Sequence, residues 1–113
     1  MRPRLRRNSE FELVYTRGRK LSAPALVFFH LDSAPDQRVA FVASRKVGGA
    51  VQRNRAKRRL RAALTLVEAG IPEVRGWVVL VARRDIARFK SDQVAEQLRR
   101  LLERPSGVPA PGR

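Results

Sequence analysis

The sequence contains no cysteine, only one histidine, and no apolar stretch approaching the roughly 20 residues that a membrane-spanning helix needs. Without cysteine, disulfide scaffolds, zinc fingers and thiol catalysis are excluded, and an intracellular location is favoured. Residues 1–7 are charged, but no apolar run follows them, so no secretion signal is predicted. We therefore expect a cytoplasmic protein with no membrane association.

Acidic residues are also scarce. The 113-residue chain has 10 Asp and Glu against 25 Lys and Arg, a formal net charge of +15. Of the 25 cations, 21 are Arg, whose planar guanidinium can bind a phosphate with two hydrogen bonds. This charge favours a polyanionic partner, either RNA or DNA. A wholly disordered tail is not expected, because 43% of the residues are hydrophobic and they fall in periodic blocks.

The first part of the chain predicts a helix followed by strands. Ser9 and Glu12 have capping-box spacing, so a helix is expected to begin at Ser9 and to end at Gly18 in a left-handed conformation. Residues 26–31 form an apolar and aromatic run typical of a strand. After a stretch rich in turn-forming residues, the alternation over residues 39–44 predicts a second strand as its hairpin partner.

The second part predicts a long helix, a buried strand and a closing helix. The long helix runs from Ala50 to Gly70, where Gly70 and Pro72 are stop signals. An unbroken apolar run over residues 76–82 predicts a strand inside a sheet, reached by a crossover. A capped amphipathic helix from Ser91 is expected to pack on the sheet. One stripe of the long helix should also face the sheet, and its members are Ala56, Leu60, Ala63, Leu64 and Val67.

The long helix is also strongly cationic. Residues 45–61 contain eight cations in seventeen residues and no acidic residue. Because like charges four residues apart destabilise an isolated helix, a bound polyanion explains this surface better than solvent alone. If six of these cations meet phosphates, the logarithm of the binding constant should fall with the logarithm of salt concentration at a slope of roughly −4 to −5.

The sequence of residues 47–61, VGGAVQRNRAKRRLR, resembles the signature of the bacterial ribonuclease P protein component, above all in its Arg-Asn-Arg core. The resemblance extends over most of the chain. It includes Phe11 and Tyr15 four residues apart, the Phe28-Phe29 pair in a strand, and the strand that begins near Trp77.

This resemblance implies an α+β fold. We expect a single small RNA-binding domain over residues 1–104, in the order α-β-β-β-α-β-α, with a mainly antiparallel central sheet and a left-handed βαβ crossover, as in the second domain of a small-subunit ribosomal protein. General rules favour a right-handed crossover, so the handedness comes from the resemblance alone. Residues 105–113 contain three Pro and two Gly and are expected to form a flexible tail.

The resemblance also implies a function. In this family a large catalytic RNA uses bound magnesium to cleave the 5′ leader from precursor tRNA, while the protein grips the leader and supports the active RNA. The implied partners are therefore the catalytic RNA and precursor tRNA, with no protein partner required. Magnesium is expected to be held mainly by the RNA, and no catalytic or metal-binding residue is assigned to the protein.

Carried over residue by residue, the resemblance implies two sets of contacts. The RNA-binding set is Arg45, Lys46, Arg53, Asn54, Arg55, Lys57, Arg58 and Arg61, in which Arg45 and Lys46 would hold the phosphates of the leader. The leader-cleft set is Phe11, Tyr15 and Phe29, whose rings can stack on bases of any sequence. Asn54 has a structural alternative, in which its amide ties the start of the helix together.

One position departs from the family pattern. Ala56 stands where the family usually has a larger aliphatic residue, and a larger side chain nearby is expected to compensate.

Other classes of function remain to be weighed. His30 is the only histidine, and it is expected to be satisfied by backbone or water rather than to act as a catalyst. Gly48-Gly49 lacks the spacing and the lysine of a nucleotide-binding loop. The alternative is a small basic ribosomal RNA-binding protein without enzymatic role, which composition alone does not separate. An architectural DNA binder would need exposed base-reading side chains, whereas the alanine-rich flank of this helix is predicted to face inward.

Overall fold

The computed structural model describes residues 3–71 and 74–103 of the chain. These residues form three α-helices and four strands in the expected order. The elements are α1 (Asn8–Arg17), β1 (Arg19–Ser22), β2 (Leu26–Leu31), β3 (Arg38–Val42), α2 (Ala50–Glu68), β4 (Trp77–Ala82) and α3 (Ser91–Leu102), with a short 3₁₀ helix at Ile86–Arg88 before α3. The predicted tail of residues 105–113 lies outside the described residues, as does Pro72.

The four strands form one mixed sheet in the order β1-β2-β4-β3. The pairs β1–β2 and β2–β4 are antiparallel, whereas β3–β4 is parallel. The α+β fold and the crossover through α2 are therefore confirmed, while the handedness of the crossover stays a prediction.

The predicted hairpin between the strands at residues 26–31 and 39–44 is wrong. β2 makes its hairpin with β1 and pairs on its other side with β4. β3 is the edge strand of the sheet beside β4. The physical reason is that β4, apolar along its whole length, is most stable between two strands, and it separates β2 from β3.

Apolar residues on both faces of the sheet are covered by helices. On one face, Phe28 and Leu80 belong to a core that includes the buried residues of α2 and α3. On the other face, Trp77 and Val79 pack in a smaller cluster with Val14 of α1. The sheet is thus the middle layer, and its α1 side has the smaller core.

Helix α2 begins at Ala50 as predicted and ends at Glu68, two residues before Gly70. Its buried residues are Ala56, Leu60, Ala63, Leu64 and Val67, so the predicted stripe is confirmed. Ala56 is only 1% exposed and lies in the main core, although its side chain is small. Helix α3 begins at Ser91 as predicted, but it lies mainly against α2 and has fewer contacts with the sheet, chiefly with β2.

Helix α1 ends at Gly18 as predicted, but its start and the conformation of Gly18 differ from the prediction. The helix begins at Asn8, and Oε1 of Glu10, not Glu12, accepts hydrogen bonds from the amides of Arg6 and Arg7 at 2.9 and 3.0 Å. Gly18 is extended, with φ −77° and ψ 165°, rather than left-handed. Glycine is needed there for space, because a Cβ would lie 2.5 Å from the carbonyl oxygen of Val14.

None of the helices in the described part of the chain is long and apolar enough to cross a membrane.

Candidate nucleic-acid interface

Helix α2 presents two groups of predicted RNA-binding residues. Arg53, Lys57 and Arg61 recur every four residues and are half-buried, so they form one flank of the helix. On that flank, Arg61 lies over the ring of Phe41 in edge strand β3. The other predicted residues of α2, Asn54, Arg55 and Arg58, are exposed on the outer surface. The first turn of α2 has no acidic residue, so the partial positive charge of the helix N-terminus adds to this field.

Arg45 and Lys46 are exposed in the turn that joins β3 to α2. The turn is held by hydrogen bonds from the amide of Gly48 to the carbonyl of Arg45 at 3.1 Å and from the amide of Lys46 to Oγ of Ser44 at 3.3 Å. Gly48 has a φ of +144°, which explains the glycine at this position. The turn therefore places both cations at the carboxyl end of β3, next to the start of α2.

The eight residues of the predicted RNA-binding set share one electrostatic property. Within residues 3–71 and 74–103, none of their side chains forms an ion pair or a hydrogen bond. The ion pairs of the described residues involve Arg38, Arg99 and Arg100 instead. Asn54 in particular does not tie the helix start together, so its structural alternative finds no support. The cations of α2 are thus free to meet an external anion.

The three predicted aromatic residues come together between α1 and β2. The ring centroids of Tyr15 and Phe29 lie 4.7 Å apart in an edge-to-face arrangement, and those of Phe11 and Tyr15 lie 6.2 Å apart. Tyr15 is 41% exposed, whereas Phe11 and Phe29 are half-buried. Burial raises the pKa of the Tyr15 phenol, so its hydroxyl stays neutral at physiological pH. Lys20 Nζ lies 6.0 Å from the centroid of the Phe29 ring and adds a positive charge.

Beside this aromatic group, α1 leaves part of the sheet uncovered. Val27 pairs with Val81, and Val81 pairs with Val42, so the three side chains form a row across β2, β4 and β3. All three are partly exposed. Phe29 is two residues from Val27 and therefore lies on the same face. The result is a partly exposed apolar strip of the sheet with the aromatic rings beside it, which we call the groove, and the turn that carries Arg45 follows Val42 at its end.

The outer surface of α2 includes a cation that the predicted set omitted. Arg59 is half-buried and lines a shallow cavity of about 750 Å³ with Arg55, Arg58 and Arg61 of α2 and with Ser91 of α3. Arg59 belongs to the cationic run in the sequence. However, its place beside α3 depends on helix packing, which the spacing along α2 alone does not show.

His30 and the acidic residues are the remaining groups that the sequence analysis considered. Nε2 of His30 lies 2.6 Å from the carbonyl oxygen of Arg75 and can donate its proton there, as expected for a structural histidine. No group of three or more potential metal ligands comes together in the ranges that the structure describes.

The fold and this surface define a class of protein: a small basic α+β domain with an unpaired cationic helix and an apolar groove, both suited to a nucleic acid. The sequence profile of the family described as Ribonuclease P matches residues 1–106. The chain therefore belongs to the ribonuclease P protein family.

Individual relatives agree with this assignment. The chain is 40% identical over 108 residues to the ribonuclease P protein component of Gluconacetobacter diazotrophicus, covering 93% of this chain and 91% of the relative. It is 38% identical over 100 residues to that of Nitratiruptor sp., covering 88% and 89%. Among solved structures, the RNase P protein from Thermotoga maritima superposes with a TM-score of 0.73 at 29% identity, covering 94% of this chain and all of that one. The Staphylococcus aureus RNase P protein, at 22% identity and a TM-score of 0.72, supports the fold alone.

Proposed function

We propose that this chain is the protein subunit of ribonuclease P and assists a catalytic RNA in removing the 5′ leader from precursor tRNA. One observation carries the proposal: a helix of unpaired cations lies next to a groove lined by aromatic rings. A bound polyanion would stabilise the cationic helix, and an extended single strand would fit the groove. The relatives named above are ribonuclease P protein components, which supports the same reading.

In this proposal α2 binds the catalytic RNA. The outer residues Asn54, Arg55 and Arg58 are exposed and unpaired, so they can reach RNA without breaking an interaction in the protein. Arginine suits this role, because its guanidinium forms two hydrogen bonds to one phosphate. The amide of Asn54 both donates and accepts and can bind a base edge or a 2′-hydroxyl as well as a phosphate.

The groove beside α1 would bind the leader. Tyr15 is exposed enough to offer a ring to a base, and Phe29 supports it edge to face. Stacking of this kind contributes about 1–3 kcal/mol per base and is insensitive to base identity, which suits leaders that differ among tRNAs. Arg45 and Lys46 stand at the end of the groove and would hold phosphates of the same strand.

The chemistry is assigned to the RNA, with magnesium held mainly by RNA phosphates. Within the ranges that the structure describes, no three potential metal ligands lie together, and the proposal assigns no metal site to them. A cytoplasmic location and independence from any protein partner are parts of the same proposal.

The alternative, a ribosomal RNA-binding protein, accounts for the cations but not for the groove. A scaffold protein bound to folded RNA has no need of an exposed ring beside an apolar strip. The matched relatives, ribonuclease P protein components, do not favour this alternative either.

Reconstitution tests the proposal. The full chain is added to a bacterial ribonuclease P RNA at low magnesium, and release of the 5′ leader is measured. We expect stimulation of cleavage and, in a direct binding assay, a salt dependence with a slope of roughly −4 to −5. An absence of stimulation at any protein concentration, together with binding to ribosomal RNA, would favour the ribosomal alternative.

A further inference from the structure

Two arginines lie over one phenylalanine ring at the β3 edge of the sheet. Cζ of Arg4 is 5.4 Å from the ring centroid of Phe41, and Cζ of Arg61 is 5.5 Å from the same centroid. Arg4 comes from the segment before α1, Phe41 from β3 and Arg61 from α2. Residues far apart in the sequence therefore bring two positive charges to one place.

The backbone fixes Arg4 in this position. The amide of Leu5 donates to the carbonyl of Val39 at 3.0 Å, and the amide of Val39 donates to the carbonyl of Pro3 at 3.1 Å. These bonds add Arg4 to the edge of β3 as a parallel bridge. Leu5 is 6% exposed and belongs to the smaller core, so the segment is anchored on both sides of Arg4.

The positive charges of Arg4 and Arg61 are not balanced by an acidic partner among the described residues. Within the described ranges, neither guanidinium forms an ion pair or a hydrogen bond. Nε of Arg61 is closed off from solvent and has no acceptor there, although the residue as a whole is only half-buried. The ring attracts both cations, but it does not neutralise them, and their mutual repulsion remains. A bound anion would remove that repulsion and offset the desolvation of Arg61.

We propose that Arg4, Phe41 and Arg61 form a phosphate-binding site for the backbone of the catalytic RNA. This site would extend the RNA-binding surface from α2 to the outer edge of β3. The inference rests on the proposed function. Arg61 belongs to the same flank as Arg53 and Lys57, so the site continues the cationic surface of α2 and would meet the same strand. In this arrangement Phe41 orients the two guanidiniums, and the phosphate bridges them.

The test measures binding of the full-length Arg4→Met variant to bacterial ribonuclease P RNA over a range of salt concentrations. Methionine keeps a long apolar side chain over the ring but removes the charge. We expect at least about fivefold weaker binding at low salt, because a charge-assisted hydrogen bond is lost. The magnitude of the salt slope should fall by about 0.7–0.9, as for one lost phosphate contact.

The matched control is Arg19→Met, which removes the same charge from β1 at the opposite edge of the sheet. Its salt slope should equal that of the wild type. Arg61→Met and the double variant complete a cycle, and if one phosphate bridges both arginines, the double variant should lose less than the product of the two single fold-losses. Thermal unfolding of each variant checks that the fold is intact.

The outcomes separate this inference from the proposed function. If wild-type protein binds the RNA but Arg4→Met and Arg19→Met have the same slope, the site is wrong and the proposed function stands. If the losses from Arg4→Met and Arg61→Met simply multiply, the two arginines do not share a phosphate and the bridging site is refuted. If the wild type does not bind the RNA at all, the proposed function fails and the site fails with it.

Discussion

Replacement of Tyr15 by alanine is the sharpest test of the groove. Tyr15 is 41% exposed and rests edge to face on Phe29, with 4.7 Å between the ring centroids. Its hydroxyl forms no hydrogen bond within the described ranges, so the ring itself is the feature to be tested. Loss of one stacking platform costs about 1–3 kcal/mol, which corresponds to roughly 5- to 150-fold weaker binding of the leader.

The same change should leave the protein folded. Removing a half-exposed ring and its two aromatic pairs, with Phe11 and with Phe29, costs about 1–3 kcal/mol of unfolding free energy, against a typical total of about 5–15 kcal/mol for a domain. Tyr15→Phe keeps the ring and should bind the leader like the wild type. Leu13→Ala is a matched control, because Leu13 is 38% exposed on the same helix but is not part of the aromatic group.

The assay compares the affinity of the reconstituted ribonucleoprotein for precursor tRNA with its affinity for mature tRNA. Tyr15→Ala should weaken binding of the precursor only, because mature tRNA has no leader to stack. Equal losses on both substrates would refute the assignment of the groove. So would a Leu13→Ala variant that loses as much precursor affinity as Tyr15→Ala.

Three further predictions concern α2, the sheet and acid stability. Arg53→Ala with Arg55→Ala should reduce the magnitude of the salt slope for binding catalytic RNA by roughly 1.5, measured by titration at several salt concentrations. Gly76→Ala should lower the unfolding free energy by roughly 1–3 kcal/mol in denaturant titrations, because Gly76 has a φ of +81° and a Cβ would lie 2.2 Å from a carbonyl oxygen. Hydrogen bonds from backbone amides lower the pKa of Glu10, and the Trp77 indole lowers that of Asp36. The stabilisation that each carboxylate provides is therefore complete above its ordinary pKa, 4.5 for Glu10 and 3.8 for Asp36, and it is lost as pH falls through the lowered pKa. Glu10→Gln should flatten the acid limb of a curve of unfolding free energy against pH.

The α2 helix was predictable because its signals are local. The spacing of Leu60 and Val67 along 3.6-residue turns defines the buried stripe, and the absence of acids over residues 45–61 defines the cationic surface. The strand at Trp77–Ala82 was predictable for the same reason, since a continuous apolar run suits a strand buried on both faces. Periodicity and charge are properties of neighbouring residues and can be read without knowledge of the fold.

The partner of β3 was not predictable in that way. Two strands joined by a short turn usually form a hairpin, but here β4 arrives about 35 residues later and takes the place between them. The order implied by the resemblance includes a strand at this place, but the residue pattern alone does not locate β1, because its sequence RKLS has one buried residue and too few positions for an alternation. All strands compete to pair with β4, the most apolar strand, so the pairing of β3 depends on the whole sheet rather than on its neighbours in the sequence.

The position of α1 on the sheet depends on contacts of this long-range kind. Arg38, in the first position of β3, donates to Oε2 of Glu10 in α1 at 2.6 Å and to Oδ2 of Asp36 at 3.1 Å. Asp36 in turn accepts from Nε1 of Trp77 at 2.6 Å, and the guanidinium of Arg38 lies over the Trp77 ring. This network ties the start of α1 to the amino ends of β3 and β4. Helix α1 carries Tyr15, and the partly exposed residues Val27, Val42 and Val81 lie at the other end of the sheet. The network therefore also fixes the position of the Tyr15 ring relative to these valines.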